Sequence, residues 1–442
     1  MKRFMIRRCA GRGSERGQML PLIALSAAVL IAMVGLGIDL GFAYVTKARL
    51  SKACDAAALA GMENINQGTV TAKQVAFAEF YANYANGALK TSLDTATVTP
   101  TFTFSPNSSS ATQLTVTAST SIQTFFVKVL SSVGDSPWKT EVVGDSSVVS
   151  RGKLDFTLVL DKSGSMNTDR GAWEMYSSVT NFLSFFSDTL DKGALVTFST
   201  LAQVNVAMTS PFTTNIASAV KTIYGPGGAN GPGICGYTTG PLGLTNAMAI
   251  ENAQPWPSTS NLVKAVIFFT DGKMNGIENQ LNCSPPANMS ATNLVFSSGD
   301  PNQTFIDFFD PGNQNCNAAP LGTKDVNGNG WCPTSGSFPS LHAQGGVYSF
   351  TDGLGYKHVR DESQDRCITY AQEMRDAGIV VYAVGLSDQV DANFLQILAN
   401  DPASSGYSAT PNDGIYVPAV DQTQMAAAFQ RVAENLLLRL VH

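Results

Sequence analysis

Residues 19–38, MLPLIALSAAVLIAMVGLGI, carry no charged side chain. About 20 apolar residues in a row are what a helix needs to cross the hydrocarbon core of a bilayer. Ahead of them stand Lys2, Arg3, Arg7, Arg8, Arg12 and Arg16 against Glu15 alone, a local excess of five positive charges. Such a flank stays on the cytoplasmic side and sends the chain beyond Asp39 across the membrane. A cleaved secretory signal would have a shorter apolar stretch, roughly 7 to 15 residues, ending at small residues. The run therefore predicts an uncleaved, single-pass inner-membrane anchor with a cytoplasmic N-terminus.

The rest of the chain is consistent with export. With an overall formal charge of −6 and +5 in the arm, everything beyond residue 18 carries −11. An acidic body argues against a nucleic-acid partner. Cys9 precedes the span, whereas Cys54, Cys235, Cys283, Cys316, Cys332 and Cys367 follow it, where disulfides are permitted. No CxxC pair is present, which disfavours a zinc ribbon or a thioredoxin-like site.

Two grammars follow the span. YVTKARLSKACDAAALAGMENI holds strong helix formers with apolar residues at helical spacing, so the spanning helix should continue outward. TAKQVAFAEFYANYAN reads as a second helix, TATVTPTFTF and TQLTVTAST alternate as half-buried strands, QTFFVKVLSS as a short helix, and KTEVVGDSSVVS as a further strand. From Lys153 the apolar runs FTLVL, GALVTF, AVIFF and GIVVYAVGL are short and unalternated, with helical stretches between them. Strands covered on both faces and alternating with helices predict an α/β fold with a doubly wound, mostly parallel sheet. The chain therefore divides into a basic arm (1–18), a transmembrane helix (19–39), a juxtamembrane helix with a small α+β module (40–150) and an α/β domain (153–442). The last of these is interrupted by an Asn-, Gly- and Pro-rich insertion at about 275–365.

Ligands of open α/β sheets collect at the carboxyl ends of the strands. The strand FTLVL ends there in DKSGS, so Asp161, Ser163 and Ser165 stand at alternate positions of one tight loop. A carboxylate with two hydroxyls suits a hard divalent cation such as Mg²⁺ or Mn²⁺. The same residue types also cap helices and form Asx-turns, so this loop alone does not establish a metal site. Asp271, in AVIFFTDG, ends a second buried strand at the same edge, and CGYTTGPLGLTNAM places a threonine ahead of a helix.

With these three stretches in this order, the domain resembles the von Willebrand factor type A domain and its metal-ion-dependent adhesion site. The resemblance implies Ser163, Ser165 and Thr238 as direct ligands, with Asp161 and Asp271 acting mostly through water. A carboxylate from a partner protein would complete the coordination. It implies binding rather than catalysis, and the chain has neither HExxH nor a GxSxG elbow. Thr239 and Thr245 compete with Thr238, and a second FTDG at 350–353 competes with Asp271 behind a poorer strand.

The membrane end, ERGQMLPLIALSAAVLIAMVGLGIDLGFAYVTKARLSKACDAAALAGM, is similar to the N-terminal segment of TadG-like proteins of the tight-adherence (Flp) pilus assembly system, and the ending DQTQMAAAFQRVAENLLLRLVH fits too. That resemblance implies a pilus-assembly role with pilus components as partners; the alternative is a surface adhesin binding host or matrix protein. Gly17 before the apolar run resembles a prepilin cleavage site, but the glutamate expected five residues later is replaced by Leu22. In the insertion, KDVNGNGWCP repeats part of a calcium loop without its bidentate carboxylate, so a Cys316–Cys332 bridge is the expected ordering element. A reporter fused after His442 is expected to read as periplasmic, and Gly17→Ala to leave the mature mass unchanged. A cytoplasmic reporter signal, or a mature protein that loses its basic arm through prepilin peptidase, would overturn this topology.

Overall fold

The computed structural model describes residues 19–84, 98–107, 111–124, 126, 140–256, 261–283, 290–297, 307–309, 336–341, 346–349, 355–410 and 412–441. The basic arm, most of the QTFFVKVLSS stretch, the calcium-like loop with its candidate bridge and the second FTDG lie outside the described residues. The chain forms two compact units, 1–149 and 150–442.

In the first unit α1 (Met19–Glu63) is one unbroken helix of 45 residues, so the apolar span does continue outward. Among the described residues it is the one helix long and apolar enough to cross a membrane, and little of its apolar window is covered by the rest of the chain. Its outer half changes character. Leu50, Ala53, Cys54, Ala57 and Ala58 are buried along one stripe, where α2 (Thr69–Asn83) packs with Ala72, Ala76 and Phe80. Small side chains on both helices let them approach closely. The strands β1 (Thr101–Ser105), β2 (Gln113–Gln123) and β3 (Thr140–Ser150) form a three-stranded sheet in that order. On β2 the buried residues Leu114, Val116, Ala118 and Thr120 alternate with more exposed ones, as period-two patterning requires.

The second unit is built on a six-stranded sheet of order β14-β13-β7-β4-β5-β6. Its strands are β4 (Lys153–Asp161), β5 (Lys192–Phe198), β6 (Ala202–Thr209), β7 (Leu262–Thr270), β13 (Ile379–Leu386) and β14 (Tyr416–Ala419). All neighbours run parallel except the edge pair β5–β6. Four helices follow β4 in sequence: the one-turn α3 (Ser165–Thr168), α4 (Gly171–Leu183), α5 (Thr213–Tyr224) and α6 (Gly240–Ala253). Three more come later: α7 (Gly355–Asp376), α8 (Ala392–Ala399) and α9 (Met425–Leu440).

Both faces of the sheet are covered, which explains the unalternated strands. On one face Phe156 meets Phe182 of α4, Phe186 and Phe212 with ring centroids 5.1–5.7 Å apart. Phe269 stacks on Phe429 of α9 on that side. On the other face Val159, Phe198 and Phe268 share a core with Leu244 and Ala247 of α6 and with Ala371 and Met374 of α7. The ends of the domain are tied together: Gly152 N–H donates to the Leu440 carbonyl, and Arg151 makes a buried two-point pair with Asp191 at 2.7 and 3.0 Å.

The insertion is more regular than its composition predicts. It forms an antiparallel sheet of order β10-β9-β8-β11-β12 from β8 (Gly276–Cys283), β9 (Ser290–Ser297), β10 (Asp307–Phe309), β11 (Gly336–Leu341) and β12 (Gly346–Ser349). The last stretch assigned to it, 355–365, is instead the start of α7.

At the opposite edge from the strand ends, Glu251 of α6 is fully buried against the sheet. One carboxyl oxygen accepts from Thr157 Oγ1 at 2.7 Å, and the other has no hydrogen-bond partner. Burial lifts this carboxyl to about 8; Asp155 adds to the rise, while Thr157 and Lys264 oppose it. The unfolded chain releases the proton near 4.5. Between these values the folded protein holds a proton that the unfolded chain has lost, so stability falls as pH rises through the window. Glu251→Gln is neutral and keeps the acceptor for Thr157. It is expected to flatten this dependence, exceeding the parent by on the order of 5 kcal/mol on the alkaline side and by little on the acid side. Urea unfolding across pH checks this; parallel profiles for the two proteins would refute it.

Candidate functional site

The site begins where β4 and β7 end side by side. Asp161, the last residue of β4, is fully buried. Its Oδ1 accepts the Ser163 N–H at 2.8 Å, which bends the chain sharply out of the strand, and its Oδ2 accepts from Thr270 Oγ1 at 2.6 Å. Thr270 is the final residue of β7, so the next residue, Asp271, is delivered to the same place. Ser165 Oγ donates to Asp271 Oδ1 at 2.7 Å and lies 3.0 Å from Ser163 Oγ. Four of the five residues singled out in the sequence thus form one hydrogen-bonded cluster. A third strand end, β13, joins it: Ser387 Oγ donates to the Asp271 carbonyl at 3.3 Å.

The loop carrying the threonines is latched onto this cluster. Cys235 N–H donates to the Lys162 carbonyl at 3.0 Å, and Gly164 N–H to the Gly236 carbonyl at 3.1 Å. Gly236 has φ +83°, and a Cβ there would lie 2.4 Å from Thr200 Oγ1, so only glycine fits the crossing. Thr238 is buried, with its N–H given to Asn275 Oδ1 at 2.6 Å and its carbonyl taking the Asn275 N–H at 3.0 Å. Its competitors are placed differently. Thr239 gives its N–H to the Ser199 carbonyl and has its Oγ1 buried without a partner; Thr245 Oγ1 is used inside α6 on the Leu242 carbonyl. Cys235 takes part in a disulfide, while Cys54 and Cys367 are buried free thiols.

Sequence reading missed the residues that hold the site in place. Tyr224, fully buried at the end of α5, donates its hydroxyl to the Asp161 carbonyl at 2.8 Å. Thr270 and Asn275 lie one and four residues from Asp271 in FTDGKMN, so their closeness to a ligand candidate was a usable signal. For Tyr224 and Thr200 no local signal exists.

The electrostatics define what the cluster lacks. Burial raises Asp161 to about 6, against the hydrogen bonds from Thr270 and Ser163. Asp271 is pushed well above the ordinary carboxylate range, by burial first and then by Asp161, with Asp169 adding to it. Asp271 Oδ2 is buried with no hydrogen-bond partner. Two carboxylates at one dry point with an orphaned oxygen are short of positive charge. The available donors are carboxylate and hydroxyl oxygens, which fit a hard divalent cation. Among the described residues no three His, Cys, Asp or Glu side chains converge. An ion here would therefore be held through hydroxyls as well as carboxylates.

Residues 155–303 match the von Willebrand factor type A domain family. The second unit, with its doubly wound and mostly parallel sheet, therefore has the von Willebrand factor type A fold. Residues 17–65 match the Tad family of Flp pilus-assembly TadE/G-like proteins. No curated protein sequence matches the chain. Among solved structures it is similar to the vWF domain of the type V pili tip protein Mfa5 from Porphyromonas gingivalis, at 13% identity, 66% of this chain, 97% of that one and a TM-score of 0.38. The PilB minor pilin from Streptococcus sanguinis aligns at 14% identity, 78% of each chain and a TM-score of 0.39. The pilus adhesin SpaC from Lactobacillus rhamnosus GG aligns at 16% identity over 78% of this chain, which spans 34% of SpaC, with a TM-score of 0.38. At these scores the alignments say nothing about function.

Asn275 ties the threonine loop to the Asp271 loop through its side-chain oxygen and its backbone N–H. Asn275→Ala leaves the buried Thr238 N–H without an acceptor, which costs about 1–3 kcal/mol. Thermal unfolding of the isolated change against the parent checks this; an unchanged midpoint would show that the latch does not matter.

Proposed function

We propose that this chain is a membrane-anchored pilus-assembly protein of the TadG type. Its type A domain, on the periplasmic side, binds a protein partner through Mg²⁺ or Mn²⁺. The observation that carries the reading is the buried, partnerless Oδ2 of Asp271 beside Asp161, Ser163 and Ser165. Ser163, Ser165 and Thr238 would hold the ion directly, with Asp161 and Asp271 orienting its waters. The bound ion supplies an electrophilic point that accepts a carboxylate from the partner. The chain's own contribution is rigidity: Asp161 is fixed from both sides by Ser163 and Thr270, and the threonine loop is latched by Asn275. The match to the type A family favours binding over turnover at this site.

Pilus assembly rather than direct adhesion is supported by the pairing of a TadE/G-like segment with the type A domain. The inserted sheet leaves the site's own loop, since β8 starts at Gly276, next to Asn275. It is therefore placed to help select the partner.

Asp161→Ala removes a carboxylate without touching the strand's core contacts. Titration calorimetry is expected to show Mn²⁺ binding by the parent and its loss in Asp161→Ala, with the domain still folded by circular dichroism. Equal Mn²⁺ affinity in both would refute the site. Pull-down of the full chain from detergent-solubilised membranes should recover pilus components, and chelator should release them. Fractionation to the cell surface would favour the adhesin instead.

A further inference from the structure

Among the described residues of the apolar span, 19–38, every one is exposed except Gly35. The cover comes from Phe126. A Cβ built on Gly35 would lie 2.5 Å from both Cβ and Cγ of Phe126, so the ring sits in the notch left by the missing side chain. Four residues along the same face, Asp39 is also buried, and its Oδ2 accepts the backbone N–H of Phe126 at 3.0 Å. Gly35 lies about 6 Å, one helical turn, nearer the span's centre than Asp39. A residue of the sheet-bearing part of the first unit therefore reaches inside the apolar stretch.

We propose that Phe126 is a second membrane contact, docking the first unit against the lipid surface through the notch at Gly35. The partner is the acyl-chain and headgroup boundary of the bilayer, and the inference rests on α1 being membrane-embedded. Three observations favour it. Phe126 remains 37% exposed although it is seated on α1, so part of its ring faces what surrounds the span. A backbone N–H at the bilayer edge needs an acceptor within the protein, and the Asp39 carboxylate supplies one. Phe126 is itself a large apolar aromatic, a side-chain type that beds at the acyl-chain and headgroup boundary. Asp39 thus acquires a role as the acceptor that lets a chain segment approach the membrane without an unsatisfied donor.

The test uses the full chain in liposomes of phosphatidylcholine brominated either close to the headgroup or deep in the acyl chain. Phe126→Trp and, separately, Leu30→Trp in mid-span add fluorescence above the four native tryptophans, which the parent protein measures. The emission added by Phe126→Trp is expected to be lost with shallow bromines, and that added by Leu30→Trp with deep ones. Gly35→Leu fills the notch while keeping the span apolar, and should abolish the quenching of Phe126→Trp. Quenching of Leu30→Trp without quenching of Phe126→Trp would overturn the proposal and leave the anchor intact. Quenching of neither would overturn the anchor itself, and with it the proposal. Quenching of Phe126→Trp that persists in Gly35→Leu would overturn the seat assigned here.

Discussion

Two carboxylates meet where β4 and β7 end; burial makes both harder to ionise, and Asp161 adds to the rise of Asp271. The rise of Asp161 from 3.8 to about 6 corresponds to roughly 3 kcal/mol held in the position of one group. Such an arrangement persists only if its surroundings are rigid. β4 and β7 are the central strands of the sheet, packed on one side by the phenylalanine cluster around Phe156 and on the other by α6 and α7. Tyr224 adds a buried hydroxyl to the Asp161 carbonyl, and Thr270 and Ser163 fix both carboxyl oxygens. The doubly wound fold is in this sense the frame for a local electrostatic deficit.

That deficit separates the site from another buried carboxyl of the domain, Glu251. Glu251 also has an oxygen without a partner and is raised to about 8, but it stands alone on α6 with Lys264 nearby. A single buried carboxyl relieves its burial by keeping a proton. Two adjacent ones with hydroxyls converging on them have a second remedy, a divalent cation. Physical chemistry therefore assigns the same side-chain type a structural role at one edge of the sheet and a candidate binding role at the other.

Much of this was legible in the sequence because it is written in residue types. An uncharged run of twenty marks the span, unalternated β-branched runs mark the central strands, and DKSGS and FFTDG carry their oxygens in the open. What could not be read depends on contacts between distant residues. Thr238 and Thr239 are neighbours with the same chemistry, and only the hydrogen bonds to Asn275 and Ser199 tell them apart. Tyr224 looks like any tyrosine closing a helix until its hydroxyl is found on Asp161. The inserted sheet was hidden because strands such as GIENQLNC carry few β-branched residues, so their pairing is decided by neighbours and not by propensity.

The insertion also bears on how the site answers a partner. β8 leaves directly from the loop in which Asn275 latches Thr238, and α7, which follows the insertion, returns to the same region. Arg366 of α7 joins them: one guanidinium nitrogen donates to the Glu278 carbonyl on β8, and Nε donates to Glu362 at 2.6 Å on its own helix. Glu362 is fully buried, so this arginine is held firmly at its base while its tip grips the strand. A partner pressing on the inserted sheet would load β8, and β8 is bonded both to α7 and, through one residue of chain, to the threonine loop. The inserted sheet and the strand ends are therefore mechanically continuous, which loops on an uninterrupted β7–α7 connection would not be.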